Sequence, residues 1–529
     1  MENQLSHIHL FGDPEENFFA LGKKDKNSYA ETFQQISMLC ARNTFFAQIL
    51  KLSTEYLAKK KKIDQGDQLK LINAYAQGLE RPVENVVFGF LLPELVASFN
   101  KWSPQLIQYI PGCSSLLYLD QTTDTPIHTR ILDYALAGPF EKNERAITYD
   151  FKNQHKTVGF STSGMPFASL TGFNEKGLSL ALHYKHGDYF NFDGESIFLI
   201  TRDVLNQCSD IREAIRFLKT KKSLSYWGII LSDANGEAAC VDINGSDYYQ
   251  EKFDLYDHEY LYFNNRPLLY KKPMDHLQPF GNHIQCQMRR DRVEEQMKKI
   301  KKRDALTGLE VLGQMNNSKS LKNWKLAPTT PSSIQLVSME AKNQTAKFVV
   351  GEAPKLFKGH YVELNNVFSN FSQTEGKNKK KTTKLEKAYK RWSRFQTHID
   401  LGDISKAYHE IQMAELEMKG YPEQHISQFY FLVTEYIFES DKRDLIYLLR
   451  DFESLIGKLP EYLEDHCHLF ILRLTKLVGL KIDELKPNIK NIKLKEIYNR
   501  EKNLNGLALK GFKKLIFPRI EILDIIYAY

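Results

Sequence analysis

Hydrophobic and polar positions divide the chain into three textures. Up to residue 112, apolar residues recur at helical spacing. "YAETFQQISMLCARNTFFAQILKLSTEYLAKKKK" predicts a long helix whose lysine run, Lys59 to Lys62, is a solvated end. "DQGDQLKLINAYAQGLE" predicts a second helix stopped by Gly78 and Pro82, and "VENVVFGFLLPELVASF" follows it. From residue 113 to about 368 the apolar runs shorten to strand length. "SSLLYLD" and "PIHTRILDYAL" flank the polar "QTTDT" as a hairpin, and "GLSLALHY", "WGIILSD", "AACVDIN", "EYLYFNN", "SSIQLVSME", "KFVVG" and "HYVEL" read as further strands. "SDIREAIRFLKT" and "RDRVEEQMKKIKK" are helices among them. Residues 369–384, "SNFSQTEGKNKKKTTK", lack apolar periodicity and read as a basic linker. Beyond it the helical period returns in two pairs. Asp403, Ser440 and Pro460 fit helix starts, and Gly420 and Gly457 fit helix ends. The offset from Gly402 to Asp441 matches a helical-hairpin repeat. Pro487 to Tyr529 turns basic, then apolar, and is expected to cap the array.

Composition narrows the class. A chain of 529 residues with 42% hydrophobic and 12% aromatic content supports two or three domains with a sizeable core. A net charge of +7 over this length gives no reason to expect nucleic acid, and the lysines of 369–384 have no interleaved aromatics, so a tether is expected there. The six cysteines are scattered without a CxxC, which favours reduced thiols and a cytoplasmic setting. The opening "MENQLSHIHLFGDPEEN" has no apolar h-region, and no segment reaches the roughly 18 apolar residues of a membrane span. Walker, Rossmann and zinc-finger spacings are absent. His466 and His468 in "HCH" stand two apart and face different sides of a helix, so no metal site is expected.

The residue that invites chemistry is Cys113 in "YIPGCSSL". A nucleophilic cysteine needs a base and a cationic neighbour. Antiparallel pairing of 114–119 with 126–134 sets residues 115 and 130 opposite each other and brings Arg130 and Asp133 to the Cys113 end. His128 shares the face of Arg130. Two charges within apolar strands are costly unless paired or used. A structural ion pair and a reactive site both satisfy that constraint.

"GCSS" followed by "IHTRILDY" resembles the Cys and R-x-x-D motifs of cysteine N-terminal nucleophile hydrolases, which include choloylglycine hydrolases and acid ceramidases. The resemblance is closest to the acyl-coenzyme A:6-aminopenicillanic-acid acyltransferases. Over about residues 10 to 368 it extends to "FGDPEENFFALG", "INAYAQGLERPVENVVFGFLLPEL", "SLTGFNEKGLSLAL", "YLYFNNRP", "CQMRRDRVEEQM" and "SIQLVSMEAKNQTAKFVVGEAPKLFKGHYVEL", in family order.

The resemblance implies an α+β fold, a four-layer αββα sandwich. It implies a helical pre-segment over 1–112 and a catalytic domain over 113–368; the 369–384 linker and an all-α helical-hairpin domain over 385–529 lie outside the resemblance and are read from the helical spacing alone. The resemblance also implies a precursor that cuts itself between Gly112 and Cys113, so that the freed α-amine becomes the base. By similarity Asp133 holds that amine, Arg130 sits beside the thiolate, Asn264 falls on the motif asparagine as oxyanion donor, Arg289 and Arg292 fall on the motif arginines, and Arg289 braces the site. "FNNRP" departs from the family's Thr-Asn-His, leaving Asn265 a weaker pocket candidate. Cys286 replaces a usual serine, and His183 lies near a family oxyanion position, although a core histidine fits it as well. The expected reaction is attack on an N-acyl amide, an acyl-thioester, and transfer to water or an amine, with neither cofactor nor metal. The competing reading is a non-catalytic scaffold whose residues 385–529 bind a protein partner. A Cys–His protease using His128 or His183 is the third.

Overall fold

The computed structural model describes residues 5–41, 52, 56, 67–99, 112–134, 136–185, 190–268, 280–314, 328–376, 383–401, 403–438, 442–482, 485, 487–490 and 492–504. Lys59 to Lys62, Ser440 and residues 505–529 of the expected cap lie outside them.

The first half holds β1 (Ser6–Phe11), α1 (Pro14–Ala41), α2 (Asp67–Leu79), α3 (Val83–Phe99), β2 (Gly112–Asp120), β3 (Thr125–Asp133), α4 (Pro139–Lys142), β4 (Glu144–Asp150), β5 (Thr157–Thr162), β6 (Thr171–Asn174), β7 (Ser179–Tyr184), α5 (Ile197–Gln207), α6 (Ile211–Leu218), β8 (Tyr226–Ser232), β9 (Glu237–Asn244) and β10 (Asp247–Asp254). There follow β11 (Leu261–Phe263), α7 (Phe280–Met297), α8 (Thr307–Leu312), β12 (Ser333–Glu340), β13 (Thr345–Phe348), β14 (Val362–Asn365) and β15 (Ser372–Glu375). Among the described residues six helices follow: α9 (Lys384–Leu401), α10 (Ile404–Glu417), α11 (Gln424–Phe438), α12 (Lys442–Leu455), α13 (Glu461–Val478) and α14 (Ile492–Lys502).

The strands form two sheets, one ordered β1-β4-β5-β6-β7-β8-β9-β10 and the other β11-β2-β3-β12-β13-β14-β15. Side-chain alternation sorts each strand between two layers. Leu116, Tyr118, Ile127 and Ile131 pack with Val293 of α7 and Leu309 of α8 on the outer face of the second sheet. Leu180, Leu182, Ile229 and Val241 pack with Val204 of α5 and Ile215 of α6 on the outer face of the first. Between the sheets, Val158, Phe160 and Phe173 meet Val337, Met339 and Phe348, and Leu117 meets Ile230 and Cys240. The result is the expected four-layer αββα sandwich. Cys113 and Ser115 share the face of Leu117 and therefore point between the sheets.

Three local expectations change. The N-terminal region is not wholly helical: β1 pairs in parallel with β4, Ser6 opposite Arg145 through Phe11 opposite Asp150, and so becomes an edge of the first sheet. Its six residues carry only a short apolar alternation, which the longer helical pattern behind it masks. Part of the expected linker is also strand, because β15 adds to β14 with Val362 opposite Glu375. A polar, mostly exposed edge strand needs no hydrophobic face, so its composition resembles a linker. Gly78 does not stop α2. It is a contact point, where a Cβ would come within 2.0 Å of the Phe19 carbonyl oxygen of α1. The chain leaves the helix at Glu80, whose φ is 55°.

Helices α1–α3 close one end of the sandwich. Phe18, Tyr75, Leu91, Leu92 and Leu95 share one core with Cys113 and Leu132. Asp25 of α1 accepts from Arg145 Nη1 (2.5 Å) and Nη2 (2.7 Å), from Tyr75 Oη (2.6 Å) and from Gly164 N (3.2 Å), which pins both α1 and α2 to the first sheet. Glu94 of α3 accepts from Ser196 Oγ (2.6 Å), Ile197 N (3.2 Å) and Ser225 Oγ (3.2 Å) and so caps α5. The C-terminal helices enclose an apolar core of their own, in which Trp392, Phe429, Phe452, Leu463 and Phe470 are buried. Cys467 in "HCH" belongs to that core and donates to the Phe452 carbonyl (3.2 Å). No helix among the described residues is long and apolar enough to cross a membrane.

Burial pushes the Glu94 carboxyl up to about 8, against the three hydrogen bonds that favour its anion. The native state then holds a proton that the unfolded chain releases near pH 4.5, so this part of the stability is present below that pH and is lost as pH rises through about 8. Glu144, raised to about 8 by burial against Lys355, carries the same sign. Glu94→Gln, which keeps an acceptor for the cap, is expected to remove on the order of 4 kcal/mol of this pH dependence. Calorimetric Tm values at pH 5 and pH 8, wild type beside variant, check it, and an unchanged slope contradicts it.

Candidate active site

The hairpin sets the site. In β2 and β3, Gly112 lies opposite Asp133, Cys113 opposite Leu132 and Ser115 opposite Arg130. The Arg130 side chain is fully buried and reaches the sulfur, Nη2 donating to Cys113 Sγ at 3.4 Å. The rest of the guanidinium is fixed by the other sheet: Nη2 donates to the Leu182 carbonyl (2.5 Å), and Nη1 to the Leu170 carbonyl (2.8 Å) and Thr171 Oγ1. A buried cation held by carbonyls thus keeps one donor on the Cys113 sulfur.

Asp133 lies on the main-chain side of the cysteine. Its Oδ1 accepts from Ser333 Oγ (2.5 Å), and its Oδ2 is 3.6 Å from Arg289 Nη1. Gly112 makes room for this carboxylate, since a Cβ there would stand 2.6 Å from Asp133 Oδ2. Arg289 enters from α7, also fully buried, and donates through Nη1 to the Cys113 carbonyl (2.9 Å) and Ser114 Oγ (3.1 Å). Burial pulls its pKa down, but Cys286, Tyr262 and Asp133 around it reverse the sign and leave it raised. Cys286 itself is buried, with its sulfur 3.5 Å from Arg289 Nη2. Arg292, one turn along, pairs with Glu295 (3.0 Å).

The two asparagines of "FNNRP" take different places from those expected. Asn265 Oδ1 accepts from the Cys113 main-chain nitrogen (2.9 Å) and from Arg289 Nη2 (2.9 Å), while its Nδ2 donates to the Tyr184 carbonyl (3.0 Å). Asn264 turns away: Nδ2 donates to the Cys286 carbonyl (2.9 Å), and Oδ1 accepts from Arg266 N (3.0 Å). The resemblance ranks Asn264 above Asn265, but the two are adjacent and chemically identical, so nothing local in the sequence separates them. The path of the chain after Phe263 decides between them.

His128 and His183 lie between the sheets on a shared hydroxyl. Ser115 Oγ is 2.9 Å from His183 Nε2 and 3.1 Å from His128 Nε2. His183 Nδ1 faces the Asn264 carbonyl (3.3 Å), which can only accept, so this nitrogen carries the proton and Nε2 accepts from Ser115. Ser115 in turn accepts from His128 Nε2, leaving His128 Nδ1 to accept from Ser179 Oγ (3.0 Å). Burial first and Arg130 second pull His128 down to about 3, and the same causes with Lys185 hold His183 well below its usual range. Two neutral imidazoles with their nitrogens so engaged build the interior and do not form a Cys–His pair.

A cavity of about 30 Å³, room for about one water, opens beside Cys113 and Arg130. Leu132, Tyr134, Met165, Leu182, Tyr184, Phe198 and Trp227 make it apolar, and Pro93 of α3 covers it. A second cavity of about 30 Å³ runs under the same helix, sharing Pro93, Met165, Leu170 and Phe198 with the first.

The family model for acyl-coenzyme A:6-aminopenicillanic acid acyl-transferase matches residues 123–355. A search of curated proteins found no match. Among solved structures, an N-acylethanolamine-hydrolyzing acid amidase ortholog of Caenorhabditis elegans is similar at 15% identity over 44% of this chain and 93% of its own, with a TM-score of 0.33. Penicillin V acylase from Agrobacterium tumefaciens is similar at 14% identity over 45% of this chain and 83% of its own, TM-score 0.32. A mutant conjugated bile acid hydrolase from Clostridium perfringens is similar at 12% identity over 50% of this chain and 97% of its own, TM-score 0.34. The matched span starts inside the hairpin and ends beyond the strands that flank it, so residues 123–355, which carry Arg130, Asp133, Asn265 and Arg289, are similar to the acyl-coenzyme A:6-aminopenicillanic acid acyl-transferase family.

Proposed function

We propose that the chain is a self-processing cysteine amidohydrolase or acyltransferase with Cys113 as nucleophile. One observation carries the reading: every reactive part of Cys113 already has a partner. Arg130 is at the sulfur, Asn265 Oδ1 at the nitrogen, Arg289 at the carbonyl, and Asp133 against the preceding glycine. In processing, Sγ attacks the Gly112 carbonyl carbon and the Gly112–Cys113 C–N bond breaks. The acyl group moves to sulfur, and the nitrogen takes the thiol proton. Water then hydrolyses the thioester, leaving a Gly112 carboxylate and a free Cys113 with its own α-amine. That amine has an ordinary pKa of about 8, suited to serve as base near neutral pH. Asp133 and Asn265 hold it, and Arg130 stabilises the thiolate.

In turnover the thiolate attacks the carbonyl of an N-acyl amide and expels the amine, which takes its proton from the α-ammonium. Water or a second amine then accepts the acyl group from the thioester. The apolar lining beside Cys113 suits an apolar acyl group, and Arg130 polarises the carbonyl at its mouth. On this geometry the asparagine at the reacting centre is Asn265 rather than Asn264. We also retain the division into a pre-segment to 112, a catalytic domain to about 368 and a helical domain from 385, whose separate apolar core supports it. A scaffold role would leave two buried arginines, one at the sulfur and one at the carbonyl of Cys113, without use.

The intact mass of purified wild type is expected to give two pieces divided before Cys113, and Cys113→Ala a single chain. A wild type that stays whole and does not react with thiol-directed reagents overturns the reading. Gly112→Ala, whose Cβ collides with Asp133, is expected to slow the cut by at least about tenfold, read as a time course of intact mass. Asn265→Ala is expected to lose about 10- to 100-fold in the rate of Cys113 acylation, the scale of a misplaced reacting group, whereas Asn264→Ala, whose side chain turns away from Cys113, loses far less. Equal losses would contradict the placement of Asn265.

A further inference from the structure

We propose that Lys185 is a positioning residue for the nucleophile, acting with Asp242 through the turn that carries Asn265. This rests on the reading of Cys113 given above. The turn follows β11, a three-residue strand at the edge of the second sheet, and residues 264–268 form no regular element after it. Its hold comes from the first sheet. Lys185, immediately after β7, has a side chain only 1% exposed, and its Nζ donates to the Asn264 carbonyl (3.0 Å) and the Arg266 carbonyl (2.6 Å). Asp242, in β9 and fully buried, stands 3.8 Å from that ammonium and accepts from Leu268 N (2.6 Å) and Tyr226 Oη (2.7 Å). The cation thus grips the carbonyls on either side of Asn265 and the anion grips the amide two residues beyond Arg266. His183 Nδ1 adds a contact to the Asn264 carbonyl at 3.3 Å.

Burying a lysine is costly unless its protons are met, and burying a carboxylate likewise. The fold also leaves space for the pair, since a Cβ at Gly228 would stand 2.4 Å from Lys185 Cε and 3.1 Å from Asp242 Oδ1. Two strand positions, Gly228 of β8 and Asp242 of β9, and Lys185 just after β7 therefore serve one turn. What the turn presents is Asn265 Oδ1, 2.9 Å from both the Cys113 nitrogen and Arg289 Nη2. Lys185 makes none of these contacts itself, so its effect on the nucleophile must pass through Asn265.

The test uses the full chain with Lys185→Met, Asn265→Ala and both together. It reads the rate of the Gly112–Cys113 cut by intact mass and the rate of Cys113 alkylation by iodoacetamide. Lys185→Met is expected to lose about 10- to 100-fold in either rate, the scale of a misplaced reacting group. In the Asn265→Ala background it is expected to change the rates by less than twofold, because the path is already broken. Wild-type rates for Lys185→Met, or the same loss in both backgrounds, overturn the proposal. Should Lys185→Met fail to fold with Asp242 left unpaired, Lys185→Met/Asp242→Asn replaces it with the same expectations. If neither folds, Lys185 is a stability residue and the proposal falls. A wild type that neither cuts itself nor alkylates at Cys113 instead removes the functional reading, and this role with it. A wild type that alkylates without cutting, in a manner that depends on Lys185, keeps the positioning role and removes self-processing alone.

Discussion

The site depends on the pairing register of Gly112–Asp120 with Thr125–Asp133. Because side chains alternate across a sheet, a slip of one residue would turn Arg130 to the helix layer and leave Thr129 or Ile131 facing the sulfur. The register is held on both faces, by Leu116, Tyr118, Ile127 and Ile131 against α7 and α8, and by Leu117 between the sheets. It is held again at the far edge of β3, where β12 pairs Val337 with Arg130 and Ser333 with Asp133. The second pairing delivers the Ser333 hydroxyl to the Asp133 carboxylate. A nonpolar constraint thus fixes the geometry of a polar site.

Electrostatics then join the two sheets at this end. The fully buried guanidinium of Arg130 takes its acceptors from Leu170 and Leu182 of the opposite sheet. Lys185, on that opposite sheet, takes its acceptors from the turn after β11. Each side supplies a cation whose carbonyl acceptors lie on the other, so the sheets cannot separate near Cys113 without costing a buried charge its hydrogen bonds. Among these cations the histidines stay neutral. A charged imidazole between the sheets would add repulsion to desolvation, which is the sense in which His128 and His183 are both shifted.

This division explains what could be read in the sequence. The hairpin, the register and the convergence of Arg130 and Asp133 on Cys113 follow from alternation and a polar turn, both local. The sandwich layers follow from strand-length apolar runs with helices between them. Asn265 was not separable from Asn264, because the turn that chooses between them is set by Lys185 and Asp242, a long way off in the chain. Lys185 itself reads as an ordinary polar residue at a strand end. β1 and β15 leave little pattern because edge strands need little apolar surface, and Gly78 reads as a stop because close approach of two helices leaves no trace in one of them.

The remaining parts of the chain bear on the site through contacts rather than through the backbone. Residues 5–41 and 67–99 are attached by a parallel strand pairing, by the bidentate Asp25–Arg145 pair and by the Glu94 cap on α5, none of which needs the Gly112–Cys113 peptide. Helix α7 faces both ways. Arg289 reaches the Cys113 carbonyl, while its neighbour Met288 packs against the apolar core of the C-terminal helices. Lys358 to Glu386 (2.6 Å) and Lys390 to Glu352 (3.3 Å) tie α9 to the end of the sandwich near that helix. A rigid helix cannot move one residue without its neighbour, so the packing of Met288 and the aim of Arg289 are one constraint. Through it the region beyond the family match has a mechanical hold on the position of a guanidinium at the nucleophile.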